Sequence, residues 1–467
     1  MINLWIIIIV VIQPIFAQEP IIIKPIKKLD SLKGNIQLDS PFYVTRLDLK
    51  LSNEELVIIQ EIKELDDKLI LIGQNHYFIT DLTFTLGPYQ HNGNVEILNS
   101  LIYSISNGKL IRRRIDGTTQ IIKHLDHMEI GNRHCGPRSN TVETVLAPQI
   151  LGTWKDCLVF SNFNCDNLGL FGKKCFGQEV CIYNPISGKT NRIYDKEGTS
   201  YDFNKRRVVF DNNYIYLVAK SICGGYQFII LDEEKTIHQH FVSSFEIDEV
   251  IKFNNKFFYA SNGKLIVQND FLQFLPRNEL NYEISIKSNI DEWKKFRIFY
   301  ALSDKLYFIK RNARKIELCY FNNTNLNITC NSIDARVPFD NGEEFRLVNS
   351  NLAIPSSIIP ISSGIINLNS EFKCYSFNGK RPYSILNTNK GIIGLENNSE
   401  GNFLKKYVSE YGEAIFNFSP NMDREQLSNG ILFRYKGHLF AIIQRLHLRS
   451  RNNEHTGIIY NLDYLNN

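Results

Sequence analysis

The chain lacks the sequence signatures of the common enzyme classes. It contains no Gly-x-Ser-x-Gly elbow, no His-Glu-x-x-His pair, no phosphate-binding P-loop and no dinucleotide-binding glycine pattern. A second apolar run of about 18 residues is also missing, so we expect no transmembrane anchor. The net charge of +4 over 467 residues is small and gives no reason to expect nucleic-acid binding. We therefore expect a non-catalytic protein without a cofactor or a metal.

The longest apolar run lies at the N-terminus, from Leu4 to Ile12, and small Ala17 follows it. A run of this length is typical of a secretory signal peptide and is too short for a comfortable membrane span. It departs from the usual pattern because no Lys or Arg precedes it. We predict a signal peptide over residues 1–17 and a secreted, extracellular product over residues 18–467.

Nine cysteines in a secreted chain predict disulfide bonds, with at least one thiol left over. None of them has the paired C-x-x-C spacing of a zinc site. Short loops favour three bridges, although cysteine spacing alone leaves the connectivity open. The candidate bridges are Cys157–Cys165, Cys175–Cys181 and Cys319–Cys330.

Four Asn-x-Ser/Thr sequons agree with passage through a glycosylating secretory route. Each sequon alone is weak support, because short motifs arise readily in an Asn-rich chain. The candidate N-glycosylation sites are Asn322, Asn327, Asn397 and Asn417.

Short β-rich segments recur along the chain, separated by turns of Asn, Asp, Gly or Lys, while helical periodicity is scarce. Their mean spacing is on the order of 45 to 55 residues, the size of one four-stranded blade. One blade cannot bury both faces of its sheet, so such units must stack around an axis. This predicts an all-β fold of the β-propeller type, with one or two β-sandwiches as the alternative. The segments are Leu101–Ile111, Tyr214–Ala219, Lys256–Val267, Lys305–Ile309, Gly391–Gly394 and His438–Ile443.

Residues 268–300 interrupt this rhythm. The segment is charged and poor in strand alternation, and it contains Asp291-Glu-Trp-Lys-Lys-Phe296 near its end. It predicts an insertion that carries a short helix. Pro and Gly do not cluster into a linker anywhere, so residues 18–467 are expected to form one domain.

Two groups of histidines could suggest metal ligands. His124, His127 and His134 precede Cys135, but a polar loop with an oxidised cysteine fits a secreted chain better. His238 and His240 share one face of a strand, as a solvent-facing pair would.

Two basic clusters could hold a glycosaminoglycan by charge. Three consecutive strand residues, Arg112–Arg114, cannot share one face, so this run is better explained as a charged sheet edge. The glycan hypothesis therefore rests mainly on the C-terminal cluster of Arg445, His447, Arg449 and Arg451.

An ordered series of short motifs resembles the sema domain family. Leu65–Leu82 is similar to its opening strand and Val-Gly-Ala-x-Asn-like turn. Cys157–Cys165 is similar to Cys-Gly-Thr-Asn-Ala-Phe-x-Pro-x-Cys, and Gly198–Phe203 to Gly-Thr-x-Tyr-Asp-Phe. The matched positions are Gly73, Asn75, Asn140, Pro148, Pro185, Gly198, Thr199, Asp202, Phe203, Phe241, Phe245, Trp293 and Phe296.

The resemblance implies a seven-bladed propeller whose partner is a plexin-type receptor ectodomain, bound by a symmetric homodimer. Several family cysteines and the Cys-rich module that usually follows a sema domain are missing. The alternative is therefore a diverged propeller that acts as a decoy or binds other surface proteins or glycosaminoglycans.

Overall fold

A computed structural model shows a chain built almost entirely from antiparallel β-sheets. The structure describes residues 42–49, 51, 57–126, 128–130, 144–167, 173–197, 201–221, 224–242, 247, 249–261, 264–268, 271, 282–285, 300–302, 305–312, 315–322, 328–333, 358–361, 364–367, 373–376, 382–388, 391–398, 401–407, 413–418, 426–447 and 456–465.

The first half of the described chain contains twenty strands. They are β1 (Phe42–Asp48), β2 (Ile59–Leu65), β3 (Lys68–Gly73), β4 (His76–Thr80), β5 (Thr85–Gln90), β6 (Glu96–Leu98), β7 (Leu101–Ser106), β8 (Lys109–Arg113), β9 (Thr119–His124), β10 (Met128–Ile130), β11 (Thr144–Leu146), β12 (Ile150–Trp154), β13 (Cys157–Asn167), β14 (Lys173–Tyr183), β15 (Thr190–Glu197), β16 (Tyr201–Asp202), β17 (Val208–Phe210), β18 (Ile215–Ser221), β19 (Tyr226–Leu231) and β20 (Thr236–Val242).

The second half contains eighteen more described strands. They are β21 (Glu249–Phe253), β22 (Lys256–Ser261), β23 (Lys264–Gln268), β24 (Tyr282–Ser285), β25 (Tyr300–Leu302), β26 (Lys305–Asn312), β27 (Lys315–Asn322), β28 (Ile328–Ile333), β29 (Ile358–Ile361), β30 (Gly364–Asn367), β31 (Lys373–Ser376), β32 (Pro382–Thr388), β33 (Gly391–Asn398), β34 (Gly401–Tyr407), β35 (Glu413–Asn417), β36 (Gln426–Tyr435), β37 (His438–His447) and β38 (Thr456–Asn461). Short 3₁₀ turns lie at Lys205–Arg207 and Asp463–Leu465.

Consecutive strands pair into meanders. In chain order the sheets are sheet 1 (β2–β5), sheet 2 (β6–β9), sheet 3 (β12–β15), sheet 4 (β16–β20), sheet 5 (β21–β24), sheet 6 (β25–β28), sheet 7 (β29–β31), sheet 8 (β32–β35) and sheet 9 (β36–β38 with β1). Strands β10 and β11 form a separate hairpin. The described residues thus form nine sheets of three or more strands, against the seven blades that the resemblance implies, because residues 300–333 and 358–376 each pair into a sheet of their own.

The two ends of the described chain meet in sheet 9. Strand β1 pairs antiparallel with β38, from Phe42 opposite Asn461 to Asp48 opposite Thr456, and so becomes the outer strand of a sheet otherwise made by the C-terminal strands. The first strands of neighbouring sheets also contact one another, as β32 contacts β36, β36 contacts β2, and β12 contacts β6. Strand β12 also contacts β17, which pairs with β18 in sheet 4. Sheets that share an inner axis and are closed by the N-terminal strand form a β-propeller, so the predicted fold class is confirmed.

Apolar side chains fill the space between neighbouring sheets at six described interfaces. Between sheet 9 and sheet 1, Leu71 and Phe78 pack with Phe433 and Ile442, and all four are buried. Further apolar clusters join sheets 1 and 2, 2 and 3, 3 and 4, 4 and 5, and 8 and 9. Sheets 1 to 4 and sheet 9 therefore bury both faces by stacking on two neighbours.

The hairpin turns explain why the segments recur in the sequence. Asn107-Gly108 and Asn254-Asn255 place two successive residues at positive φ, the conformation of a type I′ turn that matches the right-handed twist of the flanking strands. All six predicted β-rich segments contain strands. The predicted insertion at residues 268–300 is partly wrong. It contains β24, which pairs with β23 as the fourth strand of sheet 5. Asp291–Phe296 lies outside the described residues.

Candidate binding face

One end of the propeller carries the turns between the first and second and between the third and fourth strands of each sheet. We call this end the turn face. Side chains at this end bridge neighbouring sheets: Ser100 Oγ donates to Asp66 Oδ1 at 3.1 Å, and Trp154 Nε1 donates to the carbonyl of Asp211. The described turns that form it are 66–67, 81–84, 99–100, 114–118, 155–156, 184–189, 211–214, 232–235, 254–255 and 436–437.

Three large apolar side chains point to solvent from the turn face. Phe84 is 58% exposed, Ile186 is 85% exposed and Tyr214 is 38% exposed. Single exposed apolar residues are common on protein surfaces. These three share one face of the fold, and each sits in a turn with defined internal hydrogen bonds.

The turn that carries Phe84 is built by Asp81. Its Oδ1 accepts hydrogen bonds from the backbone N–H groups of Thr83 and Phe84, both at 2.9 Å, and from the Thr83 hydroxyl at 2.6 Å. Partial burial would raise the pKa of Asp81, but these hydrogen bonds and the ammonium of Lys68 hold it well below its usual range. The turn is therefore held by a charged acceptor at neutral pH.

Ile186 and Tyr214 also lie in turns that are held by hydrogen bonds. Asn184 Oδ1 accepts from the N–H groups of Ile186 and Ser187 at 2.9 and 3.0 Å, which is an Asx turn. The N–H of Asp211 donates to the carbonyl of Tyr214 at 2.9 Å, and the Tyr214 ring meets Tyr216 edge-on. Because the three turns are pre-organised, a partner that covers these side chains orders little backbone on binding.

The turn face is acidic. Its described turns contain nine Asp or Glu residues and five Lys or Arg residues. One exposed ion pair, Lys155 Nζ to Glu233 Oε1 at 2.6 Å, crosses from sheet 3 to sheet 4. The charge balance favours a partner surface with basic groups.

A second polar site lies away from this face, between sheets 2 and 3. Glu179 on β14 is 6% exposed, and its Oε1 accepts from Asn162 Nδ2 at 2.7 Å and from Lys123 Nζ at 3.0 Å. Asn162 is on β13, directly opposite Glu179 in register, whereas Lys123 is on β9 of the neighbouring sheet. Arg192 contacts the other carboxylate oxygen at 3.6 Å. We call Lys123, Asn162 and Glu179 the inter-sheet triad.

The charges of the triad support one another. Burial would raise the pKa of Glu179, but the hydrogen bonds from Asn162 and Lys123 hold it below its usual range. Burial would lower the pKa of Lys123, and the neighbouring Cys181 and Glu179 raise it instead. Burial raises the pKa of the Cys181 thiol to about 12, so this thiol is not a nucleophile at neutral pH. Sequence reasoning missed the triad, because its members are 39 and 17 residues apart with no motif between them.

The structure corrects two predicted disulfides. Cys157 and Cys181 are free thiols, whereas Cys165 is in a disulfide. Cys157 and Cys165 lie on the one strand β13, about 26 Å apart at 3.3 Å per residue, far beyond the Cα separation of a bridge. Cys175 and Cys181 likewise share β14.

Strand register shows which cysteines do face each other. Cys175 lies directly opposite Cys165, and Cys330 lies directly opposite Cys319. The Cys319–Cys330 bridge remains a prediction that this register favours. Cys135 and Cys223 lie outside the described residues.

Positions that match the sema motifs are scattered over the fold. Gly73 ends β3, where an added Cβ would lie 2.5 Å from Val57 Cγ1, so the close approach requires glycine. Asp202 pairs with Arg207 at 2.9 Å, and Phe203 is buried against Tyr194. The remaining described positions are Asn75 in an exposed turn, Pro148 buried before β12, Pro185 on the turn face and Phe241 in β20. Outside the described residues are Asn140, Gly198, Thr199, Phe245, Trp293 and Phe296.

The predicted glycosylation sites and the histidine cluster stay predictions. Asn322, Asn397 and Asn417 lie in strands β27, β33 and β35, and Asn327 is outside the described residues. No group of three His, Cys, Asp or Glu residues in the described part of the chain could hold a metal ion. His127, His134 and residues 1–41 are outside it, so neither the whole histidine cluster nor the signal peptide is described.

The predicted charged sheet edge at Arg112–Arg114 is wrong, because β8 pairs with both β7 and β9 and ends at Arg113. Arg113 is 7% exposed. Its guanidinium carbon lies 3.7 Å from the centre of the Tyr89 ring, and its Nη1 donates a hydrogen bond to the Tyr77 hydroxyl. Arg114 points to solvent instead. Arg445 and His447 lie in β37, and Arg449 and Arg451 are outside the described residues. Within the described chain no helix has the length and apolar character to span a membrane.

Comparison with known proteins identifies no family. No family model matches the chain, and no curated protein matches it. Similar solved structures include BamB from Moraxella catarrhalis (12% identity, 90% of this chain and 97% of that one, TM-score 0.35) and the β-propeller domain of the Trilobed protease from Pyrococcus furiosus (10% identity, 79% and 100%, TM-score 0.32). The AfRom2 CNH domain is also similar (10% identity, 70% and 95%, TM-score 0.33). Likenesses this distant carry no conclusion about function.

Proposed function

We propose that this protein is a secreted, non-catalytic ligand that binds a plexin-type receptor ectodomain through its turn face. The observation that carries the proposal is the placement of Phe84, Ile186 and Tyr214, three exposed apolar side chains on pre-organised turns of one face. Exposed aromatic and aliphatic groups on rigid supports are the usual anchors of protein interfaces. The receptor class comes from the sema resemblance alone.

The acidic character of the turn face supports the choice of a protein partner over a sulfated glycan. A polyanion would be repelled by turns in which acidic residues outnumber basic ones. The receptor surface should therefore present basic groups around an apolar centre. A homodimeric ligand would bring two receptors together and raise the apparent affinity through avidity.

The test is binding of the mature chain, residues 18–467, to a panel of plexin-type ectodomains, both as a dimeric fusion and as a monomer. We expect saturable binding that the dimer strengthens. Replacing Phe84, Ile186 and Tyr214 together by Ser should weaken binding at least tenfold. The matched control is Ile121→Ser, because Ile121 is 46% exposed but lies on the outer strand β9.

Two outcomes contradict the proposal. Absence of binding to every ectodomain of the panel removes the receptor class and leaves a decoy or a binder of other surface proteins. Equal loss in the triple variant and in the Ile121 control removes the turn face as the interface.

A further inference from the structure

The inter-sheet triad has the chemical composition of a self-forming amide cross-link. It contains an amine nucleophile (Lys123), a carboxamide electrophile (Asn162) and a buried carboxyl group that contacts both (Glu179). We propose that Lys123 and Asn162 are joined by an intramolecular isopeptide bond whose formation is promoted by Glu179. Such a bond would tie sheet 2 covalently to sheet 3.

The geometry brings the reacting groups together. Lys123 Nζ and Asn162 Nδ2 both donate to the same atom, Glu179 Oε1, so they cannot lie farther apart than about 5.7 Å, the sum of the two hydrogen-bond lengths. The Asn162 Cγ that would be attacked is one covalent bond from Nδ2. Asn162 is 4% exposed and is held on β13, so the approach is made by the longer lysine side chain.

One feature of the surroundings favours the attack on the carboxamide. The backbone N–H of Asp126 donates to Asn162 Oδ1 at 2.8 Å, which polarises the carboxamide and stabilises negative charge as it develops on that oxygen. The Lys123 ammonium lies 5.8 Å from the centre of the buried Phe160 ring, a contact that favours its charged form, as Cys181 and Glu179 also do. The attack therefore proceeds from the minor state in which Lys123 has passed a proton to the carboxylate that it contacts.

The reaction balances without a co-reactant. Transfer of one proton from Lys123 Nζ to Glu179 leaves a neutral amine, whose lone pair forms the Nζ–Cγ bond. The Cγ–Nδ2 bond then breaks. Glu179 passes its proton to Nδ2 and takes the second proton that Nζ loses, so Glu179 ends as the neutral acid. Ammonia leaves, and nothing is oxidised or reduced.

The test is a peptide map of the secreted full chain after denaturation, reduction and trypsin digestion. We expect a branched peptide that joins the segments around Lys123 and Asn162, lighter by one ammonia than their sum, with no cleavage at Lys123. Intact mass alone is insufficient, because cyclisation of an N-terminal Gln18 would also release ammonia. Recovery of the two segments as separate peptides, with cleavage at Lys123, would overturn the proposal.

Variants separate the roles of the three residues. Lys123→Arg and Glu179→Gln should both lose the branched peptide, whereas Asn162→Asp should keep it and release water instead of ammonia. A branched peptide that persists in Lys123→Arg would show that the link involves another residue and would refute the assignment. The wild-type map decides the question even where a variant fails to fold.

Discussion

Two interfaces between neighbouring sheets are built from different chemistry. The interface that closes the ring, between sheets 9 and 1, is apolar, and its buried polar side chain Gln444 is neutral. Gln444 accepts from the N–H of Ile59 at 2.8 Å and donates to the carbonyl of Val57 at 2.7 Å. The interface between sheets 2 and 3 adds the charged pair of Lys123 and Glu179 to its apolar contacts. Ring closure thus depends on packing and neutral hydrogen bonds, whereas the second interface depends on ionisation until the proposed cross-link forms.

Removal of β1 should have the largest effect. A mature chain that begins at residue 51 loses the pairing of β1 with β38 and the burial of Leu47 and Leu49. Two buried leucines contribute about 4 kcal/mol together, so we expect the free energy of unfolding in urea to fall by at least that amount. The control begins at Phe42 and keeps the strand. Equal stability of the two truncated chains would contradict closure by β1.

Glu179→Gln should have the next largest effect. In protein that carries no Lys123–Asn162 cross-link, the substitution leaves the Lys123 ammonium without its carboxylate, in a site that is 31% exposed at the lysine side chain. We expect the free energy of unfolding to fall by about 3 kcal/mol, the low end for breaking a buried ion pair. Glu233→Gln is the matched control, because its pair with Lys155 is exposed and should be worth less than about 1 kcal/mol. Equal effects would show that burial does not distinguish the two pairs.

Gln444→Leu tests the neutral interface. It keeps the apolar contacts of ring closure but leaves the N–H of Ile59 and the carbonyl of Val57 without the partner that Gln444 supplies. We expect a loss of about 2 kcal/mol in chemical denaturation, typical of a buried group deprived of its hydrogen bond. Gln74→Leu, at an exposed turn position, should change little. A neutral result at Gln444 would mean that neighbouring groups or water replace it.

Lowering the pH should have the smallest effect on folding stability, and it should act on the interface between sheets 2 and 3. The pKa of Glu179 is lower in the folded protein than in the unfolded chain, so its contribution is present above the unfolded value of about 4.3 and is lost as pH falls through the folded pKa. In protein that carries no cross-link, we expect the wild type to lose more stability than Glu179→Gln between pH 5 and about 2. Parallel pH profiles would remove Glu179 from the acid response.

The strands and turns were largely predictable because they depend on local chemistry. Asn107-Gly108 predicts a tight hairpin, since both residues adopt positive φ at low cost, and the structure has β7 and β8 on either side. The disulfides were not predictable in the same way. From the sequence, a strand is expected to end between Cys157 and Cys165, which would let the two cysteines close a small loop. In the structure β13 continues through both residues and holds them apart, and Cys157 is a free thiol. Their pairing depends on which strand lies opposite, and this is long-range information.

The candidate sites show the same difference between features set by local chemistry and features set by long-range packing. Asp81 and Asn184 are typical turn residues, so the local form of two turns on the turn face could be predicted from the sequence. That Phe84 and Ile186 point to solvent from one face required the positions of the sheets. The triad could not be predicted, because Lys123 meets Asn162 and Glu179 only when β9 packs against the next sheet.

The sequence by itself determined that this protein is all-β, built from repeated meanders with tight polar turns, because those properties follow from side-chain alternation and turn propensity over a few residues. Only the tertiary structure decided the nine described sheets, the closure by β1, the cysteines that face each other and the triad between sheets 2 and 3. These features arise from packing between segments far apart in the chain. The local conformational preferences of a segment do not specify which sheet packs beside it.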